Sequence, residues 1–256
     1  MNLLRIELHK YMSYRTVWVI LAIFVSVFLL ILYASSKVTI NGKELGEDMY
    51  HLPELWHRLT YIASFFNLLF GILLIVLVTD EYTFRTLRQQ VIDGLSRMEL
   101  VLAKFYVALA LAVFGTLLLL VLGLYFGLIY SPDSSFSAIF GQMDALSYYF
   151  VQAVGYMTLA MLFGFVIRKS GLAIVAFIIY SKIVEPIIQL RLPDTVDEYL
   201  PMKVLGSLTP MPGQDLLDQL TAPTQMLSPA WAALPAIGYI VLFCLLSYYT
   251  LKLRDL

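Results

Sequence analysis

The chain has 256 residues, 60% of them hydrophobic and only 14% charged, with a formal net charge of −1. Soluble domains carry about 45–50% apolar and roughly 25% charged residues, so a water-soluble fold is excluded. The balanced charge excludes a basic nucleic-acid-binding face, and the one cysteine, Cys244, excludes an intrachain disulfide or a cysteine-cluster metal site.

What remains is an all-α integral membrane protein. The apolar runs are too long for buried strands and lack the period-two alternation of a barrel. Residues 1–15 place Leu4, Leu8 and Tyr11 at helical spacing, with Arg5 and Lys10 elsewhere on the wheel. That pattern fits a short helix lying in the membrane interface or a plain positively charged flank. The apolar stretch that follows is too long for a signal peptide, and no A-x-A site comes after it. It reads as a retained anchor.

A bilayer core about 30 Å thick needs roughly 20 apolar residues per helix. Runs of that kind predict spans over residues 16–36, 59–79, 105–131, 145–167 and 229–251. A further span over 170–190 is less regular, because it encloses Lys182, Glu185 and Pro186. Lys182 and Glu185 are three apart on one helix face and so could pair. They read either as a polar gate or substrate contact, or as a short helix opening into a wet vestibule with Lys182 snorkelling. The whole chain, 1–256, is then one transmembrane domain of six helices, with a segment at 80–104 on one side and one at 191–228 on the other.

Six spans put both termini on one side. That side holds 11 basic and 6 acidic residues, the other 6 basic and 12 acidic. The positive-inside rule makes the first side cytoplasmic. Tyr14, Trp18, Trp56, Tyr61, Tyr130, Tyr148, Tyr149, Trp231, Tyr248 and Tyr249 lie near predicted span ends. They suit interfacial belts or ordinary packing.

The segment from Thr79 to Phe105 is far longer than the 2–8 residues that antiparallel helices need. Phe84, Leu87, Val91 and Leu95 recur at helical spacing, and Arg85, Arg88 and Gln89 fill other faces. Gly94 can end that helix in a left-handed conformation. Ser96 with Glu99 has the spacing of a capping box. The segment predicts a helix, a glycine stop, and a capped helix running into the third span. Such a helix could dock in a partner's groove or lie flat on the membrane.

Here the sequence resembles the permease subunits of type-2 ABC transporters of the exporter class. The features that carry the resemblance are IELHKYMSYRT leading into the first span, Glu81 closing the second, Thr86-Leu87-Arg88, and IDGLSRMELVLAKF with Ser96, Arg97 and Lys104. The layout agrees along the whole chain, and the motifs are specific over about residues 79–105. The resemblance implies that the 80–104 segment is a coupling helix seated on a separate ABC ATPase subunit. Glu81, Arg85, Leu87, Arg88, Val91, Gly94, Ser96 and Arg97 would be its coupling residues. It also implies a second permease copy or paralogue, and short re-entrant helices after the fifth span, for which the Pro-rich Leu192–Pro229 region is available.

No G-x-x-x-x-G-K-[ST] loop occurs, so the usual phosphate cradle is missing from this chain. No catalytic cluster stands out, so a non-catalytic permease is expected, with ATP and Mg on the partner and no cofactor or metal on this chain. The expected activity is export of a hydrophobic or amphipathic drug, peptide antibiotic or lipid across a prokaryotic plasma (inner) membrane. A rival reading is an ion- or proton-coupled secondary carrier, which usually places ionisable residues within its spans. A second rival is a non-transporting anchor or sensor subunit.

Phe65, Phe66, Asn67 and Phe70, with Lys182 and Glu185, are candidate lining for a substrate path. Gly123-x-x-x-Gly127 would permit close helix approach or occur by chance. His51, Glu54 and His57 have spacings of three, whereas two-histidine metal sites on helices prefer four. A surface loop is the expectation there.

Overall fold

The computed structural model describes residues 14–35, 39–40, 43–44, 50–132, 135–214 and 226–253. Apart from Tyr14 and Arg15, the amphipathic stretch expected over 1–15 lies outside them. The helices are α1 (Arg15–Ser35), α2 (Leu55–Ser64), α3 (Asn67–Thr83), α4 (Thr86–Ile92), α5 (Arg97–Tyr130), α6 (Phe136–Phe140), α7 (Asp144–Ile167), α8 (Ser170–Ile179), α9 (Glu185–Gln189), α10 (Asp194–Asp197), α11 (Pro201–Ser207) and α12 (Pro229–Leu253). A π-helical turn, Tyr180–Val184, joins α8 to α9. The strand pairing among the described residues is a two-residue antiparallel contact, Thr39 with Glu44 and Ile40 with Lys43.

The protein is an all-α membrane protein. Five helical stretches are long and apolar enough to cross a bilayer, and α2 with α3, bent by 41° at their break, makes a sixth if the pair is one span. The bend is absent from the sequence reading, which takes 59–79 as one straight run. Phe65 and Phe66 carry no breaker signal, yet the backbone tightens there. Phe66 N–H donates to the Ala63 carbonyl and Leu69 N–H to the Phe66 carbonyl, each three residues back. Bonds of that span tighten the end of a helical turn.

The bundle is built around α7, the most buried of the long helices. It packs against α2, α3, α5, α8, α11 and α12. Small residues make this possible: Ala153, Gly155, Ala160 and Gly164 are all buried on it. Helix α1 attaches by a single stripe, Val17, Phe24, Phe28 and Leu32. Phe24 sets its ring against Phe66 (5.1 Å) and Phe70 (4.8 Å). Its other faces expose Trp18, Val19, Ile23 and Leu30, as a lipid-facing helix should.

The Gly123/Gly127 spacing has a concrete use. A Cβ at Gly123 would lie 2.3 Å from the Trp56 ring, and one at Gly127 2.9 Å from Leu52. The notch therefore receives the segment that opens α2, within this same chain. Trp56 is fully buried and donates its indole N–H to the Ile139 carbonyl at 2.8 Å. Trp56 and Tyr149 are packing residues, whereas Trp18, Tyr130, Trp231 and Tyr249 are exposed.

Candidate functional site

Helix α5 has 34 residues, so it is about 51 Å long and outreaches a bilayer core by about 20 Å. Helix α4 precedes the first turn of α5 and packs against the end of α3. The chain leaves α3 through Arg85, whose φ of 56° is left-handed. Gly94, at φ 98°, then ends the connection after α4. Ser96 caps α5 in a closed capping box. Its hydroxyl accepts from the Glu99 N–H, and the Glu99 carboxylate accepts from the Ser96 N–H at 2.8 Å. Those bonds from the Ser96 backbone and hydroxyl hold the Glu99 carboxyl below its ordinary value.

The left-handed Arg85 changes which side chains of α4 face out. Leu87 is buried and Val91 packs on the same core. Phe84 precedes the break and is 68% exposed, as Ile92 is at 69%. The stripe Phe84-Leu87-Val91-Leu95 expected from spacing is thus split. Leu87 is buried and Val91 half-buried, and the exposed large apolar side chains beside them are Phe84 and Ile92. Arg85, Arg88 and Gln89 are exposed. Arg85 and Arg88 line, with Glu81, Tyr82 and Leu87, a cleft of about 330 Å³.

Two buried charges lie beneath α4. Lys104 Nζ donates to Glu81 Oε1 at 2.7 Å, and the side chains are 0% and 3% exposed. This pair joins the end of α3 to α5, across the connection that carries α4. The sequence showed both residues as flanks of apolar runs, and nothing in their 23-residue separation announced the pairing. Neighbouring contacts tighten the same end. Tyr14 donates its hydroxyl to Asp80, which pushes the Tyr14 phenol above its ordinary value. Arg168, itself left-handed at φ 61°, lies 5.0 Å over the Tyr82 ring. Arg97 is half-buried. Its guanidinium donates to the Lys252 carbonyl at 2.5 Å and so holds the end of α12, where a cation also meets the negative end of the helix.

Helix α4 is thus carried between two spans, with Arg85, Arg88, Gln89 and Ile92 exposed at this end and a buried ion pair beneath it. Comparison with protein families gives one that fits. The profile of the ABC-2 family transporter proteins matches residues 3–183, from before the first span into the π-turn.

The chain belongs to the ABC-2 family of membrane transporter proteins.

It is an ABC-type permease, and permeases of this family generally work with an ABC ATPase subunit. No significant match to a curated protein is found.

The permease's candidate path residues fall into two groups. Phe66, Asn67 and Phe70 are buried between α1, α3, α5 and α7, and Phe65 is 61% exposed. Asn67 donates to Gln152 Oε1 at 3.0 Å, and Gln152 donates onward to the Leu205 carbonyl at 2.9 Å and the Thr209 hydroxyl at 2.7 Å. In this state the second group, Lys182 and Glu185, does not pair as their spacing predicts. The π-turn widens the helix between them, because Pro186 would clash with the backbone four residues earlier in a regular α-helix. Lys182 is exposed, and Glu185 is 1% exposed with its Oε1 accepting the N–H groups of Met202 (2.5 Å) and Lys203 (3.1 Å). At the other end of the bundle Glu54 pairs with Arg58 at 2.5 Å, and among the described residues no group of three His, Cys, Asp or Glu side chains could hold a metal.

Proposed function

We propose that this permease is the membrane part of an ATP-driven exporter. It moves a hydrophobic or amphipathic substrate, such as a drug, a peptide antibiotic or a lipid, out of the cytoplasm of a prokaryotic cell. A separate ATPase subunit binds ATP and Mg, and a second permease copy or paralogue completes the pathway. Helix α4 and both termini are cytoplasmic, as the basic excess on that side requires.

The observation that carries this reading is the mounting of α4. It presents Phe84, Arg85, Arg88, Gln89 and Ile92 outward, while Leu87 and the buried Glu81–Lys104 pair fix its base to α3 and α5. A push on the outer face of α4 therefore reaches the second and third spans directly, and reaches the sixth through Arg97. An amphipathic helix held this way suits an apolar groove with acidic rims.

Purification in mild detergent tests the reading. The permease should bring down an ATPase subunit, and Phe84→Asp with Ile92→Asp should abolish that association at unchanged permease yield. Transport driven by an ion gradient, with no ATPase present, would establish the secondary-carrier reading instead. A stable ATPase complex unaffected by the double variant would move the docking face elsewhere.

A further inference from the structure

Helix α11 is held at both ends by side chains from other helices. At its start, Glu185 accepts the N–H groups of Met202 and Lys203. At its end, Gln152 donates to the Leu205 carbonyl and to Thr209. The Met202 and Lys203 N–H groups are ones that a short helix leaves without partners of its own, and the Leu205 carbonyl accepts the Leu208 N–H at 3.4 Å as well. Between the two holds, Leu205 sits on Gly155, where a Cβ would come within 2.3 Å of its Cδ2. Gly155 is the twelfth residue of α7, about 17 Å from that helix's start. So α11 reaches down beside α7 to the middle of the bundle. Asp197 takes Lys203 Nζ at 2.6 Å, and Tyr199 takes the Tyr239 hydroxyl of α12 at 2.6 Å. The segment from α10 through α11 is thereby tied to the fourth, fifth and sixth spans.

The two holders are not equivalent. Gln152 stands on α7, the central and most buried helix, and is itself fixed by Asn67 of α3. Glu185 follows the π-turn, where its own N–H reaches back to the Tyr180 carbonyl, five residues earlier. A single π-turn inside a helix is a local irregularity of the kind found frequently at functional sites. Before the turn, α8 is anchored by the buried Ala173 and Phe177, whereas after it α9 buries only Glu185 itself and exposes Ile187 and Ile188, so packing restrains the Glu185 end less than α8.

We propose that α11 is a latch helix: Gln152 is its fixed hinge, Glu185 is its releasable catch, and transport requires the Glu185 end to open. Glu185 is then a positioning residue that acts on α11, and it does not contact the substrate. This rests on the exporter reading for the timing of release, but the latch itself does not depend on it.

The test uses the full chain in lipid nanodiscs, on a Cys244→Ser background, with Val204→Cys as reporter. Val204 is fully buried in the latched state. Labelling by a charged, membrane-impermeant maleimide should be slow in this parent. Glu185→Ala should raise the rate at least about tenfold, and Glu185→Gln, which keeps one carbonyl acceptor, should raise it about threefold. Gln152→Ala should leave the Met202 and Lys203 amides protected from hydrogen exchange while the 206–209 amides exchange faster. Should Glu185→Ala not be recovered folded, the Gln variant decides by itself. In the complex with its ATPase, ATP should speed labelling of the parent as Glu185→Ala does without ATP.

Unchanged labelling in the Glu185 variants overturns the latch. A complex that hydrolyses ATP and transports while Val204→Cys stays protected overturns the release step. Failure to find an ATPase removes the exporter reading only, and the variant labelling then decides the latch.

Discussion

The most consequential single contact is the ion pair between Glu81 and Lys104, because both charges are almost fully removed from solvent. Each charge costs several kcal/mol to take out of water, which the mutual attraction and further hydrogen bonds must offset. Removing one partner is therefore far worse than removing both. Lys104→Met should destabilise the permease by about 3–5 kcal/mol, by leaving the Glu81 charge in the interior without that ammonium. Glu81→Gln combined with Lys104→Met should recover most of the loss. Reversible unfolding in mixed detergent micelles gives both numbers, and a single-variant cost below about 1 kcal/mol would mean the pair is solvated. The pairing was not legible in the sequence. Glu81 and Lys104 each looked like the ordinary charged border of an apolar run, and only the antiparallel return of α5 beside α3 sets them face to face.

At the level of elements, the local signals were legible and the inward or outward facing of α4 was not. Gly94 ends the connection with positive φ and Ser96–Glu99 forms the capping box, because both depend on residues within four positions of one another. The sidedness of α4 depends instead on Arg85 entering the left-handed region, which no spacing rule gives for an arginine. The break moved Phe84 off the buried stripe, while Leu87, Val91 and Leu95 stayed on it. The same logic accounts for Lys182 and Glu185, whose helical spacing was read across a π-turn.

The capping box also yields a pH dependence. Glu99 is held below its ordinary carboxylate value when the box is closed, so its contribution is present above the ordinary value of 4.5 and is lost as pH falls below that. A spin label at Met98 should report a firm α5 start at pH 7 and fraying as pH falls below 4.5, and Ser96→Ala should fray it already at pH 7. An unchanged spectrum between pH 7 and pH 3 would show that the box does not hold the helix.

Across the whole molecule, what decides the fold is how closely the long helices approach, and glycine sets that distance at a few positions. Composition and run length were enough to read the long helices, since each long apolar run falls in a helix, or a bent helix pair, long and apolar enough to cross a membrane. The pairing of spans was beyond reach, because lipid-facing and core-facing residues are equally apolar and no moment distinguishes them. Gly123 and Gly171 separate the two situations. A Cβ at Gly123 would fall 2.3 Å from Trp56, and that ring cannot yield, since its indole N–H is fixed to Ile139 at 2.8 Å. A Cβ at Gly171, in α8, meets nothing within 4 Å. Gly123 sits inside α5 and Gly171 in the first turn of α8; in a helix interior alanine is intrinsically better than glycine by roughly 0.5–1 kcal/mol. Overpacking costs about 1–3 kcal/mol, which exceeds that gain at Gly123 and is absent at Gly171. Gly123→Ala should therefore lower the midpoint of detergent-induced unfolding, while Gly171→Ala should leave it unchanged or raise it. Equal effects at the two positions would show that α2 does not seat against α5 through Trp56, and the packing of the second span on the third would have to be redrawn.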